Sequence, residues 1–278
     1  MLRPLVMSIV FLAWCLTGAA GSLGRTVADF DHTYADYGAT LTAHVSGSRV
    51  DYAKLAASRT AFDEVVAAFG AVAANDEAGW SRAERMAYWI NAYNVFTLRA
   101  IIDHYPIRGS WFSRYPKNSI RQISGVWTNL RWNAGGRQLT LDDIEHKLLR
   151  PQFQDPRVHF AINCASVSCP PLASEPYRSD RLEAQLDRAA VRYLSGPTGL
   201  VVDGTTLRLS SIFDWYGGDF DLRYSPRGPA GQNGTTRALL GMVATHGPEP
   251  AQALALQPGT RIAFLDYDWT LNDTTMRR

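Results

Sequence analysis

The sequence predicts an α+β fold: a single globular domain in which an antiparallel or mixed sheet packs against a central helix, with several further helices around it. Three observations predict it. The run "ERMAYWINAYNVFTLRAIIDHY", residues 84–105, has no breaker and is apolar on most helical faces, so it needs cover on all sides. Two β-type runs, "LVVDGTTLRL" and "TRIAFLDYDW", fall among helical stretches without the regular strand–helix alternation of a parallel fold. A chain of 278 residues, 46% hydrophobic and 19% charged, also holds enough apolar surface for one sizeable core.

Residues 1–20 are a different kind of sequence. "MLRPLVMSIVFLAWCLTGAAGS" has a cation at Arg3, an apolar stretch from Leu5 to Leu16, and small residues Gly18, Ala19 and Ala20, the layout of a secretory signal peptide cut near Ala20. It is short for a membrane anchor, which takes about 20 apolar residues, and Trp14 before Cys15 does not suit a lipidated cysteine. No later stretch is long and apolar enough to span a bilayer. The expectation is therefore a periplasmic or secreted bacterial protein with no transmembrane segment once the signal is removed. With 28 basic against 26 acidic residues, nothing global points to nucleic acid as a partner.

Residues 21–80 read as a helical segment, with helical spacing from Val27 to Val45 and again from Ala61 to Ala74. The main α+β domain, 81–278, opens on Ser81 and Glu84, a capping box for the long helix. Asn91 and Asn94 interrupt that helix's apolar character; they either hold neighbouring loops or, with Tyr93, face a substrate. Residues 107–140 are irregular, with a hairpin across Gly135-Gly136 and six cations, Arg108, Arg114, Lys117, Arg121, Arg131 and Arg137, against no acid. Such a face is either solvated or a platform for an anionic ligand, Arg131 being a candidate contact. Thr140 caps "LDDIEHKLLR", a short helix expected to stop at Pro151. "RVHFAIN" alternates as a strand, with His159 on one face. A helix over "SDRLEAQLDRAAVRYLSG", a hairpin across Asp203-Gly204, a helix over "TTRALLGMVATHG" and a last strand at "TRIAFLDYDW" complete the domain.

Removal of the signal takes Cys15 and leaves Cys164 and Cys169, within "VHFAINCASVSCPP". A thiol nucleophile needs a base or cation that favours its thiolate, and His159 is the obvious partner. Along a strand, five positions separate His159 and Cys164 by about 16 Å, so they meet only if the chain folds back directly after Asn163. Glu145, in an otherwise apolar stretch, needs a partner such as Arg150, Arg157 or His159, and a carboxylate on His159 orients the ring as in a triad. His146 projects about 100° away from it. Asp214 and Trp215 in "IFDWYGGDF" and Asp268 in "FLDYDWTLN" are further candidates, Asp268 as an alternative orienter and the other two, with His146, as substrate contacts. A zinc set of His159, Cys164 and Cys169 has unsuitable spacing, so neither metal nor cofactor is expected. An even cysteine pair in an oxidising compartment also fits a disulfide.

Five stretches, "YWINAYNVFTLRAI", "LTLDDIEHKLLRP", "DPRVHFAINCASVSCPPL", "IFDWYGGDF" and "FLDYDWTLN", together resemble the family catalogued as domain of unknown function 547, over about Ser81 to Asn272. The resemblance implies positions rather than an activity: Asn91, Tyr93, Asn94, Glu145, His146, His159, Cys164, Cys169, Pro170, Asp214 and Asp268. A weaker similarity is to papain-like and transglutaminase-like thiol enzymes, in which the cysteine precedes the histidine; here His159 comes first, so the arrangement is a permuted one.

The expected function is an exported thiol-dependent hydrolase or acyltransferase acting on an amide or ester. One of the cysteines is the nucleophile, His159 the base and Glu145 or Asp268 the orienter. The alternatives are a periplasmic module with a structural Cys164–Cys169 bond that binds a small molecule, peptide or anionic polymer, and a protein that cycles the pair between thiol and disulfide.

Overall fold

Ser81 accepts from the Glu84 amide and the Glu84 carboxylate accepts from the Ser81 amide, so the expected capping box starts the helix α5, Arg82–His104. This helix is buried on nearly every face from Met86 to Ile102, and one of two apolar clusters is built around it. The fold is α+β. The computed structural model describes residues 30–232 and 234–275, so the expected signal peptide, with Cys15, lies outside the described residues.

Among the described residues four helices precede α5: α1, Ala35–His44; α2, Tyr52–Ala57; α3, Arg59–Ala71; and α4, Ala74–Gly79. The first starts eight residues later than the periodicity from Val27 implies, because the Asp31 carboxylate takes the Thr33 and Ala35 amides and turns the chain there. Tyr37, Leu41, Phe62 and Phe69 from α1 and α3 enter the same apolar cluster as Trp89 and Phe96 of α5. Between α1 and α2 lies a minimal hairpin, β1, Val45–Ser46, and β2, Arg49–Val50. The hairpin expected at Gly135-Gly136 is present as β3, Trp132–Ala134, and β4, Arg137–Leu139, with both glycines at positive φ.

Thr140 and Asp143 cap each other reciprocally, and the chain then winds as a π-helix over Asp143–Leu149 before α6, Arg150–Phe153. Pro151 was expected to halt this segment and does not. The winding changes at Arg150, whose amide reaches back five residues to the Glu145 carbonyl, and Pro151 then occupies a first turn, where no N–H is required.

The strand expected at "RVHFAIN" is also corrected. Val158–Ala161 is a single helical turn, α7, and the chain becomes extended only at Ile162. The alternation that imitates a strand has another cause: Val158 and Ala161 enter the cluster around α5, whereas Phe160 enters a second cluster. An element wedged between two cores is apolar on both sides whatever its winding.

That second cluster is built by α8, Leu182–Leu194, α11, Gly234–His246, and α12, Glu249–Ala255, with the only three-stranded sheet among the described residues. In it β5, Leu200–Asp203, pairs antiparallel with β6, Thr206–Leu209, and β6 pairs parallel with β7, Arg261–Phe264. The sheet is mixed, as one of the two expectations had it, but its apolar residues pack in this second cluster rather than against α5. The hairpin loop is Gly204-Thr205, one residue later than expected, since Asp203 pairs with Thr206. Two short helices, α9, Ile212–Trp215, and α10, Asp221–Tyr224, join the sheet to α11.

Candidate active site

Where α7 ends, two amides pin the chain. Asn94 of α5 donates to the Ala161 carbonyl at 3.0 Å and accepts from the Asn163 amide at 2.8 Å. Asn163 in turn accepts from the Ala165 amide and donates to the Pro170 carbonyl at 2.7 Å. Ala165 takes a positive φ of 58°, a conformation uncommon outside glycine, and the chain reverses. The fold-back after Asn163 that a thiol site requires is therefore present. It delivers Cys164 to Cys169.

The two sulfurs are 2.8 Å apart as free cysteines, and the Cys164 amide donates to the Cys169 sulfur at 2.9 Å. A C-terminal stretch closes the site from the other side: Val167 and Ser168 donate to the Thr270 and Asp268 carbonyls, and Asp268 N–H donates to Ser168 Oγ. This places the Tyr267 hydroxyl 3.1 Å from the Cys164 sulfur, with Ser166 Oγ at 3.3 Å. Burial acts against ionisation of Cys164, yet hydrogen bonds from Cys169, Ser166 and Tyr267 bring its thiol below the usual 9.0. Cys169 is pushed well above that value by burial and by the neighbouring sulfur. Of the pair, Cys164 is the half-buried one and Cys169 the buried one.

Both sulfurs, Glu145, His146 and His159 line one cavity of about 450 Å³. Its walls are largely aromatic, formed by Tyr93, Trp127, Trp215, Tyr216, Tyr267 and Trp269. Trp215 stacks on Trp269 with ring centres 5.9 Å apart. Arg121 sits over the rings of Tyr115, Trp127 and Trp269 at one side of this cleft.

His159 does not bond a sulfur. Its Nε2 is 2.7 Å from Asp219 Oδ2, and Arg150 grips the same carboxylate through Nε at 2.6 Å and Nη2 at 2.9 Å. The ring stacks on Tyr216 at 4.5 Å. Burial holds the imidazole below its usual 6.5, against the pull of Asp219, while His159 and Arg150 keep Asp219 far below the ordinary carboxylate range despite its own partial burial. A neutral ring beside a carboxylate donates Nε2–H and keeps Nδ1 as its basic nitrogen. Glu145 is buried, and burial raises its carboxyl above 4.5 against the opposing charges of His146 and Arg150. Glu145 and His146 were expected to diverge by about 100° as in an α-helix; the π-helical winding turns less per residue, and both line the cavity.

The other expected site residues divide. Tyr93 and Trp215 line the cavity. Asn91 does not: its side chain donates to the Tyr177 carbonyl and accepts from the Tyr177 amide, so it holds a loop, as Asn94 does. Arg131 lies outside, paired with Asp143. Asp214 is exposed and is not among the cavity residues. Asp268 is exposed too; its carboxylate accepts from the Thr270 amide and orients no histidine. His159, Cys164 and Cys169 form no metal-holding group among the described residues.

Asp219 and Tyr267 are the residues that sequence reasoning passed over. Each belongs to a motif that drew notice, Asp219 to "IFDWYGGDF" and Tyr267 to "FLDYDWTLN", where Asp214 and Asp268 were preferred. The unused signal was Arg150: a cation needing an acid in an apolar neighbourhood points to a carboxylate beyond Glu145.

No curated protein and no solved structure matches the chain. A family's sequence model matches residues 78–194, a stretch that holds Tyr93, Glu145, His159 and both cysteines, whereas Tyr216, Asp219 and Tyr267 lie beyond it. The family is described as "Protein of unknown function, DUF547", and residues 78–194 of the chain are similar to it.

Proposed function

We propose that the protein is an exported thiol-dependent hydrolase or acyltransferase acting on an amide or ester, with Cys164 as the nucleophile. The observation that carries this reading is the Cys164 sulfur: half-buried on an aromatic cavity, with three hydrogen-bonding groups that favour its thiolate. The thiolate attacks the acyl carbon, the carbon–sulfur bond forms, and the leaving nitrogen or oxygen takes its proton from the protonated form of Glu145, which burial favours. Water or an acceptor then attacks the thioester, its proton passes to the Glu145 carboxylate or to Nδ1 of neutral His159, and the thiolate leaves. Asp219, fixed by Arg150, sets the tautomer of His159.

Incubation with p-nitrophenyl acetate followed by intact-protein mass measurement tests the reading. An acetyl adduct mapping to Cys164, absent in Cys164→Ala, supports it; an adduct unaffected by that substitution, or none, contradicts it.

A second reading, a thiol–disulfide exchange protein, is favoured by one observation, the 2.8 Å approach of two sulfurs whose acidities are driven apart. There Cys164 attacks a substrate disulfide and releases one thiol. Cys169 then gives up its proton and attacks the Cys164 sulfur, the mixed disulfide breaks and the second substrate thiol leaves with a proton, so the pair is oxidised as the substrate is reduced.

A further inference from the structure

Trp111 and Phe112 stand side by side at 84% and 101% exposure, the two most exposed large apolar residues among those described. The loop that carries them is built rather than loose. Gly109 N–H donates to the Lys117 carbonyl at 2.8 Å and closes its neck. Gln122 braces it from below, donating to the Tyr115 and Pro116 carbonyls and accepting from the Ser110 amide. Ser110 Oγ takes the Phe112 amide and Ser113 Oγ the Tyr115 amide, so the tip is turned by its own hydroxyls. Gly109 is needed because a Cβ there meets the Gln122 side chain at 2.2 Å.

The charge carried by this stretch of the chain itself is of one sign. Arg108, Arg114, Lys117 and Arg121 flank it, no acid occurs from 107 to 140, and none of the four is ion-paired among the described residues. Arg131 and Arg137, farther along, are paired with Asp143 and Glu77. Lys117 lies over the Trp111 ring, and Arg114 and Arg121 both donate to the Tyr115 hydroxyl, which holds these cations close to the aromatic tip.

We propose that this 109–117 loop docks the protein on an anionic lipid surface, Trp111 and Phe112 entering the interface while Arg108, Arg114, Lys117 and Arg121 meet the lipid phosphates. Leaving two large rings in water costs the free protein their transfer free energy, and the boundary between headgroups and acyl chains returns it. Adjacent unpaired cations add attraction to an anionic leaflet, each cation multiplying affinity by several-fold. A soluble polyanion is the poorer fit, because it would meet the cations and leave the two exposed rings in water. Tyr115 and Arg121 belong to both this loop region and the cavity wall, so docking places that wall of the cavity beside the bilayer.

Co-sedimentation of the full-length protein with vesicles tests this without reference to turnover. The expected result is binding to phosphatidylcholine vesicles containing about one-third phosphatidylglycerol, little binding to pure phosphatidylcholine, and weakening with salt. The double variants Trp111→Ser/Phe112→Ser and Arg114→Glu/Lys117→Glu, with melting temperatures matching the parent, are each expected to lose at least about tenfold in affinity. Absence of sedimentation, equal binding to both vesicle types, or undiminished binding by Trp111→Ser/Phe112→Ser overturns the proposal. In the last case a soluble polyanion such as polyphosphate is expected to bind as well.

Discussion

Asn94 accepts the backbone amide of Asn163 at 2.8 Å, one residue before Cys164 leaves that backbone for the cavity. With its donation to Ala161, the side chain replaces the strand partner that this stretch does not have. Asn94→Ala leaves a buried N–H and a buried C=O unmet, each costing about 1–3 kcal/mol. Denaturant unfolding is expected to show a loss of about 2–4 kcal/mol. Asn94→Asp, which keeps the acceptor for Asn163 but sets a buried carboxylate against the Ala161 carbonyl, is expected to lose at least as much.

Arg157 is 1% exposed and holds Asp155, Glu183 and Asp187 together. Arg157→Ala strips Asp155 of its principal cation and leaves only Arg223, at 3.5 Å. Removal of one member of a buried pair costs about 3–5 kcal/mol, and the same unfolding measurement is expected to return a value in that range. Loss below about 1 kcal/mol would place the pair among surface bridges.

Glu145 gives stability a pH dependence of known sign. Its folded carboxyl titrates above 4.5, so from about that pH upward the unfolded chain releases a proton that the native state keeps, and stability falls until the folded group also ionises. Glu145→Gln removes that slope. Melting temperatures of parent and variant are expected to diverge in the parent's disfavour as pH rises from 4.5. His159 acts in the opposite direction: its folded pKa lies below 6.5, so below that pH the unfolded chain takes up a proton first and stability falls as pH falls.

Asp219 fixes which nitrogen of His159 carries hydrogen. Asp219→Asn keeps the size but allows the other tautomer, and turnover is expected to drop by about a hundredfold or more with folding intact. The acidic limb of the rate–pH profile is expected to move as well. Unchanged turnover would make the Asp219–Arg150–His159 cluster a structural brace.

The chain announced its elements more clearly than its site. The capping box at Ser81, the Gly135-Gly136 hairpin and the amphipathic α8 follow from local rules that tertiary packing did not disturb. The stretch around His159 misled because burial between two clusters erases the difference between periods of two and 3.6. Pro151 misled because nothing local signals a π-helical winding. Residues of the site from one segment, Glu145, His159 and the cysteines, were legible by type. The contacts that tune them come from about 50 to 100 residues away, and no local spacing encodes that Asp219 reaches His159 or that Tyr267 reaches Cys164.

Alkylation of the native protein by iodoacetamide, read by peptide mass across pH without added reductant, tests most directly whether Cys164 is a poised nucleophile. Carbamidomethyl is expected on Cys164 alone at neutral pH, half-titrating below 9.0, with Cys169 unlabelled until the chain is unfolded. If neither sulfur is modified until a reductant is supplied, the two are joined in the working protein and the thiol-enzyme account is contradicted.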